Sequence, residues 1–599
     1  MTTNAELNSR IDGQTVCGRF LETLSNHPDL VAFRWKDADD AWHEITYLEY
    51  GDLVARAATG LKAKGLGKGD RMVLMMANRY EFHILDMAAL FVGAVPVSIY
   101  NSSASEQIAY LISDADATMA FVEDDTYLDR FNAVSSQMPD LTTIGAVSPG
   151  PDTQVDMTYA SVIDNEPADL EAAARMANPD DLVTLIYTSG TTGPSKGVML
   201  DHRNICWTSE SLIEAMDIED FSGKRLVSYL PMAHIAERVT SHYIAAITAS
   251  EVTCCPDPTL FPAYAAETRP QMMFGVPRVW EKIAAGVQAA LAADPEKSKA
   301  VNEAVEAAAP IAEKMTWGEI SDEERETYDF LDAVAFSTIR ELVGLDQLIV
   351  AISGAAPLTS ELMSWFRTIG VPLSEIYGLS ETSGPMTWDA YKVKPGYVGR
   401  AIPGMEVKLD EDGEVLCRGG NVFRGYLNQP ELTAEVLDSD GWFRSGDIGE
   451  FDEDGYLKIV DRKKELIITA GGKNLSPANL EAALKQIPLV GQAIAIGDQR
   501  PFVSGLVVLD PDYAPQWAAN NGIDFDTMDQ LAANPAVIAE IEGGLAESMA
   551  NFSNAEKVKK VKVLGEEWLP DTDLLTPTSK LKRRGIHARF QTEIEALYQ

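Results

Sequence analysis

The 599-residue chain is 46% apolar and 23% charged, which provides for a large core and excludes a disordered chain. Its 49 Lys plus Arg against 91 Asp plus Glu leave a net charge of -42, a surface that repels nucleic acid and anionic lipid headgroups but still permits a local basic pocket. The length allows about four units at roughly 150 residues each, and the five cysteines, Cys17, Cys206, Cys254, Cys255 and Cys417, have no C-x-x-C or metal-ligand spacing, which fits a reducing compartment.

The N-terminal MTTNAELNSR lacks the apolar core of a secretory signal. Strand-like apolar runs then alternate with helix-length amphipathic segments: DRMVLMM near residue 73, AVPVSIY at 94–100, TMAFVED at 118–124, LVTLIY at 182–187, RLVSYLP at 225–231 and LIVAISG at 348–354. That alternation predicts an α/β fold of layered, largely parallel sheets. The most membrane-like stretch, MAALFVGAVPV (Met87 to Val97), is about half a membrane span and reads as a buried helix passing through Gly93 into a strand. No transmembrane segment is expected, and the location expected is cytoplasmic, with at most weak peripheral contact at the inner face of the membrane. From about 281 to 345 the composition turns to Ala, Glu and Lys, which predicts a helical insertion. From about 396 to 463, DEDGEVLCRGG and DEDGYLKIVDRKK read as hairpins with Asp-Gly turns in a β-rich subdomain. A smaller α+β unit begins near Lys464, dividing the chain into 1–463 and 464–599.

Within this frame, LIYTSGTTGPSKGVML (Leu185 to Leu200) places a Gly/Ser/Thr loop between two apolar runs. Gly190, Gly193 and Gly197 let backbone N–H groups turn inward, Thr188, Ser189, Thr191, Thr192 and Ser195 offer hydroxyls, and Lys196 adds charge, all suited to phosphate. The spacing is not that of a G-x-x-x-x-G-K-[ST] loop, because Ser195 and Gly197 stand at the wrong positions. A flexible linker is the alternative reading.

Three more stretches carry chemistry. In EIYGLSET (Glu375 to Thr382) Tyr377 is able to stack on a base, Ser380 to reach a phosphate and Glu381 to hold a hard cation, though a loop Glu is usually just solvated. In GWFRSGDIG (Gly441 to Gly449) Asp447 is able to accept from ribose hydroxyls or simply to shape a turn. LTPTSKLKRRG (Leu575 to Gly585) is a basic cluster near the end of an acidic chain, which a solvated patch also explains.

Taken in order, YTSGTTGPSKG, YGLSET, SGDIG, DRKKELI and PTSKLKR resemble the adenylate-forming (AMP-binding) superfamily of acyl-CoA synthetases, adenylation domains and beetle luciferases, over most of the chain. The resemblance implies a large N-terminal domain and a small C-terminal domain that rotates about a hinge at Lys464. It implies ATP, with Thr188, Ser189, Gly190, Thr191, Thr192 and Gly193 around the β- and γ-phosphates. Gly354, Ala355 and Ala356, with Glu375, Ile376, Tyr377 and Gly378, then line the adenine pocket, and Ser380 reaches phosphate. Thr191 and Glu381 meet Mg2+, Asp447 with Arg462 holds the ribose, and Lys196 and Lys580 neutralise phosphate charge, Lys580 at the α-phosphate. CoA is the implied second substrate, its pantetheine arm lying beside Gly471 and Gly472. Two departures are small: Ser380 replaces the commoner Thr, and Ala355 stands where many relatives have Gly.

The implied chemistry needs no general base, since a fatty acid with a pKa of roughly 4 to 5 is already ionised at neutral pH; it needs charge cancellation on phosphoryl oxygens. LPMAHIAER and GVPRVWEK, with the helical insertion, resemble the long-chain fatty-acid branch, which makes His234 either a wall of the acyl channel or, as a lone His more often is, a satisfied core residue, and leaves Arg278 either anchoring that channel or pairing with Glu281. The expected activity is that of a long-chain fatty acid–CoA ligase. After Lys580 too little chain remains for a carrier domain, which favours CoA as acceptor. The competing readings are a fatty-acyl-AMP ligase serving a separate carrier protein and a non-catalytic nucleotide or lipid sensor.

Overall fold

A computed structural model describes residues 2–188, 194–468, 474–550, 552–554, 556–569, 572–576 and 580–599. In the large N-terminal domain one sheet runs Val95–Ser98, Arg71–Met75, Ala117–Val122, Thr143–Ala146, Met157–Thr158, with every neighbouring pair parallel. Its strands are linked as expected for βαβ units. The Arg71–Met75 strand leads into the helix Tyr80–Val92, buried almost all round, and Gly93 at φ 85° stops that helix so that the chain re-enters the sheet at Val95. The apolar stretch around Gly93 is therefore core.

A second sheet sets Arg225–Ser228, Glu251–Cys254 and Val31–Lys36 parallel, with Trp42–Thr46 antiparallel at one edge. A third sets Met272–Gly275, Val350–Ser353 and Leu373–Glu375 parallel. The exception to parallel pairing is instructive. Leu182–Thr188 pairs antiparallel with Lys196–Asp201, because the loop between them is too short for the crossover a parallel pair requires.

The helical insertion includes Pro277–Ala292, Pro295–Trp317, Asp322–Leu331 and Ser337–Leu342, and its Ala304, Ala308 and Ile311 pack into one core with Trp280 and Phe366. Small side chains allow these helices close approach, and a fully buried Phe such as Phe20 or Phe366 contributes ~1.5–3 kcal/mol. Both Asp-Gly hairpins form, Glu406–Leu409 with Glu414–Arg418 and Phe443–Phe451 with Leu457–Arg462, turning at Gly413 (φ 84°) and Gly455 (φ 80°).

The smaller C-terminal domain has a sheet of Val490–Ile496, Ser504–Leu509 and Lys560–Leu564. One face packs on Leu484, Leu531 and Ile541, the other on Trp568, Ile586 and Phe590. All five cysteines are free and buried. Among the described residues no helix is long and apolar enough to cross a membrane.

Candidate active site

A cleft of about 2990 Å³ lies between the two domains and extends into the large one. Its floor is built by short strands whose turns admit few residue types. In the hairpin Tyr377–Leu379 with Gly384–Trp388, a Cβ at Gly378 would stand 1.7 Å from the Gly384 carbonyl oxygen, so only glycine fits. The single turn Ser380–Thr382 follows, tied down by Phe423, whose N–H donates to the Glu381 carbonyl at 2.8 Å. This sets the Glu381 carboxylate where the Tyr426 hydroxyl donates to it at 2.8 Å. Lys196 stands over the same Tyr426 ring, 5.1 Å from its centre. Thr188 and Lys196 are opposite each other at the base of the glycine-rich loop, and the Tyr110 hydroxyl holds its exit by donating to the Ser195 carbonyl at 2.8 Å.

Beside this group, Asp447 and Arg462 face each other across a hairpin, with Nε to Oδ1 at 3.4 Å, and Tyr377 donates its hydroxyl to the other Asp447 oxygen at 2.6 Å. Burial pushes the Asp447 carboxyl up from its ordinary value while Arg462 and Tyr377 oppose the shift. Burial also raises the Tyr377 phenol well above its ordinary value, so it remains a donor.

Ala355 adopts φ 70°, the left-handed region that costs a residue with a Cβ about 1–2 kcal/mol. The departure from Gly at this position thus carries strain. Gly354 packs against Ile376, and Glu375 accepts from the Leu358 N–H at 3.1 Å; burial pushes its carboxyl up to about 8, so it is protonated at neutral pH.

Lys580 reaches into the cleft from the C-terminal domain. Water still touches the side chain, but the surrounding protein and the Arg462 charge lower its pKa, against the pull of Asp447 and Glu381. Within reach of its charge lies His234, which caps a short helix by accepting the Ala236 N–H on Nδ1 at 3.2 Å. Burial, then the charge of Lys580, pushes this imidazole down to about 4, so it is neutral with its proton on Nε2. The cleft is also lined by the apolar Leu212, Met216, Leu226, Val239, Ile244 and Met272.

The sequence matches the family described as AMP-binding enzyme over residues 20–427, and the one described as AMP-binding enzyme C-terminal domain over residues 464–599. The chain belongs to the AMP-binding enzyme family. This AMP-binding enzyme is 35% identical over 588 residues to the long-chain-fatty-acid–CoA ligase FadD15 of Mycobacterium bovis, covering 97% of each chain. It is 32% identical over 642 residues to the long-chain-fatty-acid–CoA ligase ACSBG2 of Xenopus laevis, covering 98% of this chain and 84% of that protein. In fold it matches the adenylation domain of the carboxylate reductase of Mycobacterium chelonae, with a TM-score of 0.76 at 20% identity, covering 100% of this chain and 93% of the other.

The AMP-binding enzyme thus brings together, from distant parts of its sequence, Lys196, Glu375, Tyr377, Glu381, Asp447, Arg462, Lys580 and His234. Thr188, Ala355, Ala356, Ile376, Gly378, Ser380 and Lys464 also line the cleft. Ser189, Gly190, Thr191, Thr192, Gly193, Gly471 and Gly472 lie outside the described residues. Arg278 sits in the first turn of Pro277–Ala292; of the two readings the sequence left open, it makes the pair with Glu281, at 3.5 Å, and its guanidinium also reaches Asp510 of the C-terminal domain at 2.7 Å. The helix begins at Pro277 and turns that side chain toward the other domain.

Two residues of the cleft escaped the sequence reading. Tyr426 links Lys196 to Glu381. Glu237 is buried against Ser228, 2.7 Å away, and burial pushes its carboxyl up to about 7. Tyr426 left no sequence signal, since nothing in its spacing joins it to either partner; Glu237 stands three residues after His234 in the quoted LPMAHIAER.

Proposed function

We propose that this AMP-binding enzyme is a long-chain fatty acid–CoA ligase working in two half reactions on units 1–463 and 464–599. The observation that carries the reading is the position of Lys580 in the cleft, within electrostatic reach of Asp447, Glu381, Arg462 and His234. Asp447 and Arg462 suit a ribose, Tyr377 with Gly354 to Ala356 a base, and Lys196 and Lys580 the phosphates. The carboxylate of the fatty acid, its chain along Leu212, Met216 and Ile244, attacks the α-phosphorus of ATP; the bond to the bridging oxygen breaks and pyrophosphate leaves. Lys580 stabilises the negative charge that spreads over the phosphoryl oxygens, and the neutral His234 adds no positive charge beside it.

Glu381 fits magnesium in donor chemistry, being a carboxylate with one oxygen held by Tyr426; Thr191 is the second residue assigned to it. What a bound magnesium supplies is neutralisation of phosphate charge. In the second half reaction the CoA sulfur attacks the acyl carbonyl carbon and AMP leaves with its phosphate oxygen. Rotation at Lys464 is the proposed way in which Lys580 withdraws and Gly471 and Gly472 approach the pantetheine arm.

The test is incubation with ATP, magnesium, palmitate and CoA, reading pyrophosphate, AMP and thioester. Equimolar AMP and palmitoyl-CoA are expected. Accumulation of acyl-adenylate without thioester would transfer the assignment to a ligase serving a carrier protein, and absence of pyrophosphate release would leave a nucleotide or lipid sensor.

A further inference from the structure

The helix Pro277–Ala292 starts directly after the strand Met272–Gly275, whose Met272, Met273 and Phe274 line the cleft. Its first turn faces the C-terminal domain. There Arg278 donates to Asp510 Oδ2 at 2.7 Å, and one turn later Lys282 Nζ stands 3.6 Å from Asp512 Oδ2. Asp510 is fixed from its own side as well. Its other oxygen accepts the N–H groups of Asp512 and Tyr513 at 3.0 and 2.9 Å, immediately after the strand Ser504–Leu509. A carboxylate so oriented offers one remaining oxygen, and Arg278 takes it.

The two domains also meet where Asp461 accepts from Ser476 at 2.6 Å and from the Ala478 N–H at 3.1 Å. That contact lies beside the segment joining them, where a rotation moves atoms least. Arg278 and Asp510 are 232 residues apart and join bodies rather than a connector. The pair is intermediate in exposure, the Asp510 side chain 10% and the Arg278 side chain 43% accessible. Such a pair shifts an equilibrium by up to roughly fivefold, enough to favour one orientation of a domain without trapping it.

We propose that the Arg278–Asp510 pair, backed by Lys282–Asp512, is a clasp that holds the C-terminal domain in the orientation presenting Lys580 to the large-domain site, and that it opens before the second half reaction. Arg278 and Asp510 are therefore positioning residues for adenylation. This rests on the two-step reading above. Because the Arg278 helix continues a strand of the cleft wall, the clasp is anchored to the part of the large domain that the acyl chain touches.

The test uses the full chain with Arg278→Ala, Arg278→Lys, Asp510→Asn and the Arg278→Ala/Asp510→Asn double variant. Asn at 510 keeps an oxygen for the turn and removes the charge. Palmitate-dependent pyrophosphate release reads the first half reaction, and thioester formation from supplied palmitoyl-adenylate and CoA reads the second. A ~3–5-fold fall in the first is expected for Arg278→Ala and Asp510→Asn, with no further fall in the double variant and most activity kept by Arg278→Lys. The second half reaction stays level or quickens, and high salt narrows the gap to the parent. Independently, zero-length carbodiimide coupling of Lys282 to Asp512, read by mass spectrometry, is expected to drop in Arg278→Ala. Equal losses in both half reactions, additive losses in the double variant, or coupling yield indifferent to Arg278 overturns the clasp. A parent protein that releases no pyrophosphate overturns the assigned reaction instead, while the coupling yield still decides the clasp.

Discussion

The two sides of the cleft are held by different means. On the large-domain side Asp447 takes the Tyr377 hydroxyl and faces Arg462 across a hairpin, while Glu381 takes Tyr426, whose ring also underlies Lys196. Strand pairing fixes Tyr377, Lys196, Asp447 and Arg462, and the hydrogen bond from the Phe423 N–H fixes the turn that carries Glu381. On the C-terminal side Lys580 is held through its backbone, the Thr576 N–H donating to its carbonyl at 2.8 Å and its own N–H donating to the Thr576 hydroxyl at 3.0 Å. Its ammonium senses Arg462, Asp447 and Glu381 through their charges. The contrast fits the proposed division, in which the large-domain groups bind and Lys580 serves the reactive step.

The largest effect tests that division directly. Lys580→Ala is expected to lower fatty-acid-dependent pyrophosphate release by ~10²–10³-fold and to leave thioester formation from supplied acyl-adenylate nearly intact; equal damage to both would abolish the contrast. Asp447→Asn, on the fixed side, loses a charge-assisted hydrogen bond worth ~1.5–3 kcal/mol, and is expected to raise KM for ATP by ~10–100-fold in steady-state assays with a smaller change in kcat. Met216→Trp narrows the apolar wall and is expected to shift the preferred acid toward shorter chains by ~10-fold in kcat/KM across a substrate panel.

Smaller effects concern the fixed side alone. Glu375 keeps its proton to about pH 8 when folded and loses it near 4.5 when unfolded. Between those values the unfolded chain binds fewer protons, so stability declines as pH rises. Glu375→Gln is expected to flatten the melting temperature between pH 5 and 8. Ala355→Gly relieves a left-handed residue and is expected to gain ~1 kcal/mol in urea unfolding, the smallest of these changes and a measure of the strain stored beside the pocket proposed for adenine.

Much of this was legible in the sequence wherever it depends on local period. Strands such as Leu182–Thr188 and Val350–Ser353, the Asp-Gly turns and the Ala-rich helices follow from alternation, turn residues and composition. The ordered motifs named Asp447, Glu381 and Lys580, and all three line the one cleft. What the sequence withheld is whatever depends on how separate elements dock. Arg278 reads either as an anchor of the channel or as the partner of Glu281, but its second partner, Asp510, lies 232 residues away in the other domain. Tyr426 joins two site residues only because its own segment meets both the strand Lys196–Asp201 and the turn Ser380–Thr382. The strain at Ala355 is a backbone property, and no residue count reports a dihedral angle.

The first ten residues deserve a practical consequence. Leu7 is fully buried, Asn4 accepts from the Trp207 indole at 3.0 Å, Arg10 pairs with Glu214 at 2.7 Å, and Thr2 takes the Gly404 N–H on its carbonyl at 2.9 Å. Trp207 and Glu214 belong to the helix His202–Met216, the same rod that shows Leu212 and Met216 to the cleft. Trimming this leader, or fusing a bulky tag close to it, loosens one end of that rod, so anyone expressing the protein should look for altered lipid selectivity before blaming the chemistry.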